Sequence, residues 1–129
     1  IYMPDVTTNT RTFKNTKFMF TGDSQSSNEA AMIANGYDLS ADVLKVGHHG
    51  SRTSTSNEFL SKVNPKYAVI SCGKNNDYGH PHAETMQRLQ AKGVKVYRTD
   101  EEGTIVCTSD GNIISFGCNP GDYAAAIKQ

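Results

Sequence analysis

A layered domain of α/β (α+β) type, with a mixed β-sheet and covering helices, is expected from three features of the sequence. Short β-branched or aromatic runs alternate with helical segments from Lys17 onward. The helical segments are punctuated by stop signals, and the first two by start signals as well. After Val94–Thr99 the alternation gives way to two strand-like runs joined through Asp110-Gly111, which adds an antiparallel pair to a sheet otherwise built by crossovers.

Residues 1–16 are rich in Thr and Asn and show no helical or strand period, so this stretch reads as a polar N-terminal segment, a linker or an edge. Lys17-Phe18-Met19-Phe20-Thr21 is a strand stopped by Gly22-Asp23. Ser26-Ser27 announces a helix that runs to Ala34 and ends at Asn35-Gly36. A second strand occupies Asp42–Gly47. Thr55, with Glu58 three residues on, has capping-box spacing for a short helix carrying Phe59, Leu60 and Val63, and Asn64-Pro65 ends it. Tyr67–Cys72 is apolar enough on both faces for a central strand. A helix near Ala83–Lys92 repeats Ala83, Met86 and Leu89 before Gly93, and Val94–Thr99 is the strand that follows. In the closing hairpin, Thr104–Thr108 with Asn112–Gly117, a type I′ turn sets Cys107 opposite Ile114 and Ile105 opposite Phe116. Thr104, Thr108 and Ser115 then share the other face. The domain is drawn as 17–118, with 119–129 as a C-terminal tail.

At 129 residues and 36% hydrophobic content the chain can build one core. Its 13 Lys+Arg balance its 13 Asp+Glu, so no net field attracts a polyanion and any phosphate must be gripped locally. No apolar run is long enough for a membrane-spanning helix. Cys72, Cys107 and Cys118 form no CxxC pair and read as small core residues rather than a disulfide framework or a thiolate zinc site. Met19, Met32 and Met86 read as core fillers, and Lys45 as a solvated strand residue.

Chemistry in layered α/β folds gathers at the carboxyl ends of strands, and there this sequence places its unusual residues. The first strand ends in Thr21-Gly22-Asp23, the second in Gly47-His48-His49-Gly50-Ser51, the third in a loop holding His80-Pro81-His82. These segments contain all 4 histidines. A carboxylate and neutral imidazoles suit a first-row divalent cation. Adjacent imidazoles flanked by glycines can aim differently, one ligating while its neighbour reaches substrate. The hydroxyls and amides of Ser51, Thr53, Thr55 and Ser56 either meet a phosphate or cap the following helix. His82 reads as a solvent-facing residue of a first helical turn.

The segments Phe18-Met19-Phe20-Thr21-Gly22-Asp23, Ala41 through Ser51 and Asn76-Asp77-Tyr78-Gly79-His80-Pro81 together resemble the metallo-β-lactamase superfamily, and within it the soluble domain of ComEC-type competence proteins and related free-standing hydrolases. The resemblance runs from about Lys17 to Phe116. It implies that Asp23 bridges two divalent ions, Zn²⁺ or Mn²⁺. Comparison with the phosphorylcholine-esterase branch implies His49 as a metal ligand and His48 as the group touching phosphate. His80 would be a ligand or the acid for the leaving group, and Ser51 would bind substrate. The superfamily's His-x-His-x-Asp-His motif is absent, His80-Pro81-His82 being the one His-x-His. The chain is therefore expected to be the C-terminal half of an αββα sandwich.

The implied function is metal-dependent hydrolysis of phosphodiesters or phosphate esters, nuclease-like and competence-related, in an incomplete form. Two ligands from this chain are fewer than tight zinc binding requires. The alternative is a non-catalytic assembly module that pairs with another chain. A β-lactam hydrolase ranks behind both, because adjacent histidines followed by a hydroxyl-rich helix start suit a phosphate. Expected partners are a phosphate-ester or nucleic-acid substrate and either a second copy or a missing N-terminal half. The cell envelope or the exterior is favoured over the cytoplasm.

Overall fold

Residues 2–3, 8–36, 38–74 and 76–125 are described by the computed structural model. The rest of the two terminal segments, 1, 4–7 and 126–129, lies outside the described residues. Strands β1 (Tyr2–Met3), β2 (Thr8–Phe13) and β3 (Thr16–Phe20) pair antiparallel, and β3 continues in parallel with β4 (Val43–Lys45), β5 (Tyr67–Ile70) and β6 (Lys95–Arg98). The mixed sheet therefore has spatial order β1-β2-β3-β4-β5-β6.

The segment read as linker or edge thus contains two strands, β1 and β2, at one side of the sheet. Thr8, Thr10 and Thr12 are β-branched residues at alternating positions, and the register Asn9↔Phe20 through Phe13↔Thr16 supplies the hydrogen bonds that a polar strand cannot secure alone.

Helices α1 (Ser26–Ala34), α2 (Asn57–Val63) and α3 (Ala83–Ala91) make the parallel crossovers. They cover one face of the sheet. Met32, Phe59, Leu60, Val63, Met86 and Leu89 join Met19, Leu44, Val46, Ala68, Ile70 and Val96 in a single buried cluster. Ser56, not Thr55, caps α2: its side chain accepts from Phe59 N, while Thr55 adopts a left-handed backbone. Asn64, also left-handed, ends the helix as its position before Pro65 requires.

The hairpin β7 (Cys107–Ser109) and β8 (Ile114–Phe116) packs against the opposite face. Phe116 stacks on Tyr97 with ring centroids 3.7 Å apart, and Thr16 Oγ1 hydrogen-bonds Ser109 Oγ at 2.7 Å. The register departs from expectation, with Cys107 opposite Phe116 and Ser109 opposite Ile114. Asp110 Oδ1 accepts from Asn112 N and Ile113 N, so the carboxylate folds residues 110–113 into a longer loop than the two-residue turn. A slip of two keeps Cys107, Ile114 and Phe116 on one face, as the strand period demands.

A cavity of about 270 Å³ remains between hairpin and sheet, lined by Phe18, Phe20, Val43, Val69, Ile105 and Cys107 among others. Lys45 also lines it and is half-buried rather than solvated; burial lowers its pKa, against the raising charge of Asp23. The C-terminal segment is tied to the sheet edge: Gly121 N donates to Val96 O, Tyr123 Oη to Val94 O, and the buried Arg98 guanidinium meets Asp100 and Asp122. A one-turn helix α4 (Thr99–Glu102), unmarked in the sequence reading, follows β6.

Candidate functional site

The loops after β3, β4 and β5 meet at one end of the sheet. Thr21 Oγ1 donates to Lys45 O at 2.6 Å and His48 N to Gly22 O at 2.9 Å, which seats the Gly47–Gly50 turn beside the Asp23 loop. His48, His49 and Gly50 all have left-handed backbones, with φ of 50°, 56° and 84°. Two such non-glycine residues in succession cost about 1–3 kcal/mol each and persist only where the surroundings hold them. Here Ser51 N donates to His48 O, Ser54 Oγ to Gly47 O and His82 N to Gly50 O. At Gly50 a Cβ would meet Pro81 Cβ at 2.7 Å, so glycine is what lets the two histidine loops touch.

Hydrogen bonds sort the histidines. His49 Nδ1 lies 2.7 Å from Ser71 O. A carbonyl can only accept, so Nδ1 is the donor of that bond and Nε2 is the ring nitrogen that faces Asp23 Oδ1, at 3.8 Å. In His82, Nδ1 accepts from Arg52 N at 2.9 Å and Nε2 donates to Tyr78 O at 3.0 Å. His82 is thus a clip between two loops, half-buried at the N-cap of α3 rather than solvent-facing. His48 Nδ1 reaches Thr53 Oγ1 at 3.4 Å, and Thr53 Oγ1 is 2.9 Å from Ser51 Oγ.

His80 is buried and central, with ring centroids 5.7 Å from His48, 6.1 Å from His49 and 4.7 Å from His82. Burial lowers its pKa, as do the neighbouring charges of His82, His48, His49 and Arg52. Ser51 is buried and its hydroxyl serves the turn. The sequence offered the Thr55 and Ser56 amides to a phosphate, but Glu29 takes both: its carboxylate, wholly inside, accepts from Thr55 N at 2.5 Å and Ser56 N at 2.9 Å.

Glu29 and Arg88 carry roles that no motif in the sequence marks, and Asn76 has a bracing role beyond its place in the Asn76–Pro81 motif. Glu29 lies three residues before buried Met32 on one helix face, a spacing that marks a carboxylate turned inward. Asn76 braces the third loop by donating to Gly73 O and His80 O and accepting from His80 N. Arg88 Nη1 donates to Arg52 O and Ser54 O from α3.

Among the described residues no group of three or more His, Cys, Asp or Glu side chains could hold a metal ion. Asp23 with His49 matches part of such a site: a carboxylate, and an imidazole oriented through its other nitrogen by a backbone carbonyl.

The chain is 43% identical over 103 residues, 80% of its length, to ComE operon protein 3 of Bacillus subtilis (strain 168). It is 42% identical over 88 residues to competence protein ComA of Neisseria gonorrhoeae, and 40% over 87 residues to recombination protein 2 of Haemophilus influenzae, each covering 67% of the chain. These relatives are consistent with the ComEC competence type. The chain spans 13%, 13% and 11% of their respective lengths. No protein-family model matches it. No helix among the described residues is long and apolar enough to cross a membrane.

Proposed function

We propose that this chain is part of a competence-related, metal-dependent hydrolase of phosphodiesters or other phosphate esters, of metallo-β-lactamase type. The observation that carries the reading is the approach of His49 Nε2 to Asp23 Oδ1 with His49 Nδ1 committed to Ser71 O. Asp23 and His49 would hold the cation. A divalent ion there supplies Lewis-acid polarisation of a phosphoryl oxygen. His48, steadied through Thr53 and Ser51, is placed to hydrogen-bond a nonbridging oxygen. Burial, and then the neighbouring imidazole charges, lower the His80 pKa, which suits it to a neutral hydrogen-bond partner beside the cation better than to a charged acid. Ser51 acts on substrate through the turn it shapes.

The test is hydrolysis of bis-p-nitrophenyl phosphate with added Mn²⁺ or Zn²⁺. The reading expects metal-dependent turnover or, at the least, a metal-induced rise in melting temperature, both lost in His49→Ala. Neither effect in the wild-type chain would refute it.

The assembly reading is favoured by a separate observation. The hairpin leaves a 270 Å³ apolar cavity on the sheet, and Phe20 beside it is 46% exposed. A face of this kind seeks a cover, either a second copy or another part of a longer protein. Light scattering should find a species larger than the monomer, and Phe20→Glu should return it to monomer.

A further inference from the structure

One wall of the site is an aromatic ring that the proposed chemistry does not use. Tyr78 is 76% exposed, while the backbone that carries it is tied down. Its carbonyl accepts from His82 Nε2, Gly79 N donates to Asn76 O, and Asn76 Oδ1 accepts from His80 N. Its ring lies against that of His80 at 19° with centroids 5.5 Å apart. With His49, Cys72, Gly73, Asn76 and His80 it borders a hollow of about 200 Å³. A planar group seated there would lie beside His49. A tyrosine ring already held in place loses little conformational freedom when covered.

We infer that Tyr78 is a stacking platform for an unpaired nucleobase, making the site selective for nucleotide-type phosphate esters. This rests on the phosphate-ester reading and adds a determinant of selectivity to it. With 13 cationic and 13 anionic side chains, the chain has no general attraction for a polyanion. Affinity for a nucleotide must then come from local contacts, and stacking on an aromatic face accepts any base.

The experiment titrates the Zn²⁺-supplemented full chain with inorganic phosphate, thymidine and thymidine 5′-phosphate, following amide and imidazole NMR signals. Thymidine 5′-phosphate is expected to bind roughly fivefold to tenfold tighter than phosphate, shifting residues 76–80. Tyr78→Phe should keep that preference within about twofold. Tyr78→Ala, and Tyr78→Leu with apolar bulk but no ring, should erase it while leaving phosphate affinity unchanged. Equal affinities in the wild type, or a preference that survives Tyr78→Ala, would overturn the platform. Ring-dependent binding of thymidine, with no response of His48 or His49 to phosphate, would keep the platform and refute the hydrolase reading. Silence from every probe would refute both.

Discussion

The two histidine loops, Gly47–Gly50 and His80–His82, lie against each other and use the same side chain in opposite ways. His82 hydrogen-bonds through both ring nitrogens to the backbone, to Arg52 N and Tyr78 O, and is part of the scaffold. His49 anchors one nitrogen on Ser71 O and turns the other toward Asp23. The contrast teaches that an imidazole's availability is read from where its second nitrogen goes, not from how near it stands to other histidines. His80, close to all the others, lies between the two cases.

The largest expected effect breaks the contact between the loops. Gly50→Ala would set a methyl against the Pro81 ring at a left-handed backbone position. It should destabilise the fold by about 2–4 kcal/mol, read by urea denaturation. Next comes His82→Ala, which removes two hydrogen bonds and should cost about 1–3 kcal/mol by the same measurement. His49→Ala, on an exposed ring with one hydrogen bond, should cost no more than about 1 kcal/mol while removing the Zn²⁺-induced rise in melting temperature. If His82→Ala proved the milder substitution, the division between clip and ligand would be wrong.

The smallest effect concerns the wall beside His49. Burial, and then the charge of Asp100, pushes the Cys72 thiol up to about 11. The folded chain therefore keeps this proton to higher pH than the unfolded chain does. The stability it contributes is complete below the ordinary thiol range and is lost as pH rises toward about 11. Wild-type protein should lose more stability than Cys72→Ala over that alkaline range, measured by paired melts.

Much of the fold was legible because its signals are local: punctuation by Asn35-Gly36, Asn64-Pro65 and Gly93, and apolar repeats such as Met86 with Leu89. The β2 strand and the hairpin register were not, since one depends on a partner strand and the other on where the Asp110 carboxylate bonds. At the site, the gathering of Asp23, His48, His49 and His80 at strand ends could be read from order and spacing. Which nitrogen faces which atom could not. Nor could the role of Glu29, whose partners Thr55 and Ser56 lie 26 and 27 residues away.

On the proposed function, Asp23 and His49 share a divalent cation that His82 does not touch. Isothermal titration of Zn²⁺ into wild-type, Asp23→Asn, His49→Ala and His82→Ala chains tests it most directly. Affinity should fall at least roughly tenfold with the first two substitutions and stay nearly unchanged with the third. Equal losses in all three variants, or no Zn²⁺ binding by the wild type, would contradict it.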